Sequence, residues 1–125
     1  MKQIIIYTDG SSKGNPGPGG WAALIFHGRE KLTEIFGNEG STTNNRMEML
    51  AIIKALEWVT KKFKNVPPIV VRSDSNLVIK TMTSNWKRKK NQDLWEELSE
   101  FATPLTIKWE WVKGHSTNKY NNRCD

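Results

Sequence analysis

Glu48 stands where an acid is costly. The segment Asn44-Asn45-Arg46-Met47-Glu48 opens a helical pattern that runs to about Lys62. With about 100° between successive residues, Lys54, Glu57 and Lys61 share a charged, solvent-facing stripe. Ile52, Ala55 and Val59 lie roughly opposite and form the buried stripe. Glu48 falls on that buried stripe, at the top of it. A carboxylate there is expensive unless something neutralises it. Asp9, Asp74 and Asp125 are the other acids placed to join it, and the rest of the chain has to bring them together.

The chain before that helix reads as strand. Ile4-Ile5-Ile6-Tyr7 is a continuous apolar run, expected to be a central strand buried on both faces and ending at Thr8-Asp9-Gly10. Gly10 to Gly20 holds five glycines and two prolines and is expected to be a turn-rich loop. Trp21 to Phe26 and Leu32 to Phe36 are strands joined by the turn His27-Gly28-Arg29-Glu30, and Gly37 to Asn45 is expected to be polar loop. Thr43 or Asn44 is the N-cap of the helix. After Pro67-Pro68 comes the short strand Ile69-Val70-Val71, terminating at Ser73-Asp74-Ser75. A helix from Ser75 to about Met82 follows, then the basic run Lys87-Arg88-Lys89-Lys90, then a helix from Asp93 to Phe101. From Leu105 the chain alternates, with Leu105, Ile107, Trp109 and Trp111 on one face, as in a half-buried strand. The order implies an α/β fold, a mixed sheet with helices packed on it. If the first and fourth strands are parallel neighbours, Asp9 and Asp74 share the carboxyl end of the sheet, where such folds place ligands.

Length and composition set the outer limits. A chain of 125 residues fits one domain, 1–125, with enough length for a real core. The formal net charge of +6 suggests a polyanionic partner. Cys124 is the single cysteine, so there is no internal disulfide framework, which suits a reducing compartment. No apolar run approaches membrane-spanning length and no signal-peptide pattern follows Met1, so the expectation is a cytoplasmic protein with no membrane partner.

Clustered carboxylates repel one another, and burial makes the repulsion worse. Mg²⁺ answers it with a preference for hard oxygen ligands, and Mn²⁺ is the natural substitute. Two such ions can activate a water and stabilise the leaving oxygen of a phosphodiester. Zinc is disfavoured, because His27 and His115 are far apart and there is no Cys/His cluster. Each acid also has an ordinary structural reading. Asp9 before Gly10 suits a turn, Glu48 a helix first turn, Asp74 an N-cap, and Asp125 a frayed chain end. Spacing alone leaves both readings open.

Motifs along nearly the whole chain carry a resemblance. They are Tyr7-Thr8-Asp9-Gly10-Ser11, Gly14-Asn15-Pro16-Gly17-Pro18-Gly19-Gly20, Thr42-Thr43-Asn44-Asn45-Arg46-Met47-Glu48, Ser73-Asp74-Ser75, Asn91-Gln92-Asp93-Leu94-Trp95, Lys108 to His115, and Asn122-Arg123-Cys124-Asp125. The chain resembles type 1 ribonuclease H, enzymes that cut the RNA strand of RNA–DNA hybrids. The resemblance implies a five-stranded mixed sheet in the order 3-2-1-4-5 with flanking helices. It implies that Asp9, Glu48, Asp74 and Asp125 ligate two Mg²⁺ ions and that His115 assists proton transfer or product release. It implies hybrid contacts from Gly10, Ser11, Asn15, Asn44, Asn45 and Asn76, and a DNA-phosphate pocket of Thr43 and Asn91 with Trp86 nearby. It also implies products with 5′-phosphate and 3′-hydroxyl ends and recognition that is largely sequence-independent.

The chain also departs from the family pattern. The long basic protrusion of many bacterial members is reduced to Lys87-Arg88-Lys89-Lys90, and Ser41 stands where some members have a phosphate-holding arginine. Asp125 is the last residue, whereas in the family that aspartate begins a final helix, so the expectation is a domain without that helix. The alternatives kept open are a hybrid-binding module with weak or no catalysis, because Asp125 is unanchored, and an integrase-like enzyme of the same fold. A monomer is expected, with pairing over bare sheet surface as the alternative.

Overall fold

A computed structural model describes residues 2–14, 16–84 and 91–112. Five strands form one sheet: β1 (Ile4–Ser12), β2 (Gly17–His27), β3 (Glu30–Thr42), β4 (Ile69–Ser73) and β5 (Ile107–Trp111). Their order is β3-β2-β1-β4-β5, so the expected 3-2-1-4-5 topology is present. β1 to β3 pair antiparallel, and β4 pairs parallel with both β1 and β5. Among the described residues three helices accompany the sheet: α1 (Asn44–Lys62), α2 (Asn76–Ser84) and α3 (Gln92–Ala102).

α1 carries the core. Met49, Ile52, Ile53, Leu56 and Val59 are fully buried against Ile4, Ile6, Ala23, Ile25, Ile69 and Val71 of the sheet. These alternate residues of β1 and β2 turn one sheet face onto α1, while Ile5, Tyr7, Leu24 and Phe26 cluster separately. Thr43 caps α1: its side-chain oxygen accepts from the Arg46 N–H at 3.3 Å. No helix among the described residues is long and apolar enough to cross a membrane.

Two expected loops are strand instead. Residues 10–12 pair with residues 19–21 in the β1–β2 ladder, and residues 37–42 continue β3 alongside that extension, with Gly17 opposite Thr42. Apolar alternation does not mark these stretches, because backbone ladder bonds hold them and the glycines are there for space. A Cβ on Gly10 would collide with the Met47 backbone and come within 2.5 Å of the Glu48 backbone nitrogen. Gly28, at φ +64°, supplies the left-handed residue of the β2–β3 turn.

Candidate active site

Register builds the site. Thr8 of β1 lies opposite Ser73 of parallel β4, so the next residues, Asp9 and Asp74, come side by side where the β1–β4 pairing ends. Gly10 lets the first turn of α1 rest against the end of β1, which delivers Glu48 from above. The result is one ligand oxygen each from Asp9, Glu48 and Asp74, all within 4.8 Å of one another. Asp9 and Glu48 are buried, and Asp74 is half-buried. Asp9 is a strand residue, not a turn former, although its Oδ1 accepts the Gly10 N–H at 2.9 Å. Asp74 does not cap α2. Ser75 does, with its hydroxyl oxygen accepting the Val78 N–H at 3.3 Å, and this leaves the Asp74 carboxylate to the cluster.

The two Glu48 oxygens have different surroundings. Ser73 Oγ donates to Oε2 at 2.8 Å, and Thr8 Oγ1 approaches the same atom at 3.4 Å. Oε1 is buried with no hydrogen-bond partner among the described residues. Burial pushes the Glu48 carboxyl up to about 8, the Ser73 hydroxyl opposes this, and the charge of Asp74 adds to it. A buried oxygen left without a donor, beside two more carboxylates, is what a bound divalent cation would resolve. Hard oxygens alone fit Mg²⁺ or Mn²⁺ and disfavour softer metals.

The cluster lies in a cleft of about 450 Å³ lined by Asp9, Gly10, Ser11, Asn44, Asn45, Glu48, Asp74 and Ser75. Asn44 Oδ1 accepts from the Ser12 backbone N–H at 2.6 Å and from Ser12 Oγ at 3.1 Å, which ties the β1–β2 hairpin to the start of α1. That orientation turns the Asn44 NH₂ group away from Ser12. Thr43, Asn76 and Asn91 do not line this cleft. They stand at the N-terminal ends of α1, α2 and α3 respectively. Asn15, Trp86, His115 and Asp125, and the Lys87 to Lys90 run, lie outside the described residues.

Sequence reasoning missed the polar residues that hold these groups. Ser73 and Thr8 position Glu48, and Arg46 with Asp93 joins α1 to α3. Parity along β1 and β4 was the available signal, since Thr8 and Ser73 fall on the α1-facing side with Ile6 and Val71.

The RNase H family model matches residues 1–125. Ribonuclease H of Alcanivorax borkumensis is 45% identical over 139 residues, covering all of this chain and 88% of that protein. Ribonuclease H of Caldanaerobacter subterraneus subsp. tengcongensis is 47% identical over 137 residues, covering 98% of this chain and 86% of that protein. Among solved structures, the N-terminal RNase H domain from Mycobacterium tuberculosis superposes with a TM-score of 0.87 at 30% identity, covering 99% of this chain and 91% of that one. LC11-RNase H1 in complex with an RNA/DNA hybrid superposes with a TM-score of 0.84 at 29% identity, covering 98% and 91%.

Proposed function

The chain belongs to the ribonuclease H family, and from that membership we propose an endoribonuclease that hydrolyses the RNA strand of RNA–DNA hybrids. The observation that carries the proposal is the convergence of Asp9, Glu48 and Asp74 at the sheet end, with one buried Glu48 oxygen lacking a donor. Asp9, Glu48 and Asp74 would hold the divalent metal, with Asp125 as a fourth ligand on sequence resemblance alone. Two Mg²⁺ ions, or Mn²⁺ in their place, would supply an activated water and Lewis-acid stabilisation of the phosphoryl and leaving oxygens.

The protein groups do the rest. Ser73 and Thr8 hold Glu48 by Oε2, which leaves Oε1 available to a cation. Ser11, Asn44 and Asn45 line the cleft and, with the backbone at Gly10, can read ribose 2′-hydroxyls, which separate a hybrid from duplex DNA. Asn76 and Asn15 extend that contact set. Thr43 and Asn91 grip a DNA-strand phosphate, and on sequence resemblance alone Trp86 would stack on sugar or base. His115 handles a proton near neutral pH. These contacts read backbone and shape, so cleavage is largely independent of sequence. Products carry 5′-phosphate and 3′-hydroxyl ends. The working unit is a monomer, and the lone cysteine fits a reducing compartment such as the cytoplasm.

The test is end-labelled hybrid, duplex RNA and duplex DNA, each with Mg²⁺, Mn²⁺ or chelator. Cleavage of only the hybrid's RNA strand is expected, abolished by chelator and by Asp9→Asn. Tight hybrid binding without cleavage under every metal condition would make this a binding module instead.

A further inference from the structure

Asn91 departs from the habit of its position. It is the N-cap of α3 with φ 61° and ψ 40°, the only non-glycine residue with positive φ among the described residues. Its side chain makes no capping hydrogen bond. An N-cap asparagine ordinarily turns its oxygen onto a backbone N–H of its own helix. Here Oδ1 instead accepts from Arg46 Nη1 of α1 at 3.1 Å. The same guanidinium grips Asp93 with two bonds, Nη1 to Oδ1 at 3.1 Å and Nη2 to Oδ2 at 2.8 Å. A two-pronged hold on a carboxylate fixes the plane of the guanidinium.

The consequence lies in the amide. A guanidinium carries only donors, so the Asn91 atom facing it is the oxygen, and the NH₂ group is turned away from it. Among the described residues no acceptor takes that NH₂. Resting on the role of Asn91 at a DNA-strand phosphate, we propose that Arg46, locked by Asp93, is a positioning residue that presets the Asn91 NH₂ for that phosphate. In this role Arg46 acts through Asn91 and not on the phosphate, its charge being matched by Asp93. Arg46 is two residues before Glu48 on α1. One helical turn therefore sets both the carboxylate cluster and the phosphate grip, and with them the span between the cut RNA bond and the held DNA strand.

The experiment is steady-state cleavage of a labelled hybrid by the full chain carrying Asn91→Ala, Arg46→Met or both, with folding checked by thermal unfolding. A parallel set of hybrids carries a methylphosphonate at one DNA-strand phosphate at a time. Each single variant is expected to raise KM about five- to tenfold, the worth of one well-placed hydrogen bond, with kcat little changed. The double variant is expected to be no worse than Asn91→Ala. One methylphosphonate position should weaken the wild type and leave both single variants indifferent. Asp93→Asn, the gentler change, should raise KM less, and not at all on the Asn91→Ala background. If Arg46→Met keeps wild-type KM and methylphosphonate sensitivity while Asn91→Ala loses them, the positioning role is wrong and the phosphate role of Asn91 stands. If Asn91→Ala changes neither, the phosphate role itself is wrong and the inference goes with it. Additive losses in the double variant, or an Asp93→Asn effect that survives without Asn91, also overturn it.

Discussion

Glu48 is held through Oε2 while Oε1 has no hydrogen-bond partner among the described residues, and its proton balance follows. Burial, which disfavours the charge, and the neighbouring Asp74 charge push its carboxyl up from an ordinary 4.5 to about 8. An acid with a higher pKa folded than unfolded holds its proton more tightly in the native state. Its stabilising contribution is therefore complete below about 4.5 and is lost as pH rises through about 8. In chelator, thermal unfolding of the wild type should weaken with pH across that window, and Glu48→Gln should flatten the trend. At about pH 8 the variant should be the more stable by on the order of 2 kcal/mol, while hybrid cleavage falls roughly a hundredfold or more. A wild type whose chelator-bound stability ignores pH in this range would contradict the buried-acid account. Ser73 predicts a milder effect. Ser73→Ala removes the 2.8 Å donor to Glu48 and should weaken Mn²⁺ binding about tenfold by calorimetry, with Ser73→Thr retaining most of it.

At the scale of elements, the critical contact is between the end of β1 and the first turn of α1. Nothing but a hydrogen fits at Gly10, whose added methyl would strike the Met47–Glu48 backbone. Gly10→Ala should push α1 outward, cost about 1–3 kcal/mol of stability and weaken metal binding together with it. Gly40→Ala is the control from the same sheet, since a Cβ there meets nothing within 4 Å; its effect should stay within about 0.5 kcal/mol. Chemical denaturation of the two variants side by side measures the difference. The glycine stretch 17–20 and the tail of β3 extend the sheet beside this contact. Asn44 fastens the extension to α1 through Ser12.

For the whole molecule, the net charge of +6 and a backbone-reading cleft predict binding dominated by phosphate contacts. With about four phosphates neutralised, hybrid affinity in chelator should fall about a hundredfold between roughly 50 and 200 mM salt. Asn91→Ala should lower affinity without altering that slope, because a neutral side chain releases no counterion. A salt-independent affinity in a filter-binding or anisotropy titration would rule out this mode of binding.

The long helix, its buried stripe with Glu48 on it, the apolar runs of β1 and β4, and the family motifs are all legible in the order of residues. Each of these is written in local periodicity or residue identity. The sequence could not place the extensions of β1, β2 and β3, because ladder bonds between distant glycine and polar stretches leave no hydrophobic period. Nor could it choose between Asp74 as cap and Asp74 as cluster member. Only the parallel register of Thr8 against Ser73, with Ser75 taking over the cap, decided that. The partners of Glu48 and the turning of Asn91 towards Arg46 were likewise tertiary decisions. A side chain's hydrogen-bond direction depends on what the fold brings within reach of it, and these partners are 25 to 45 residues away in the chain.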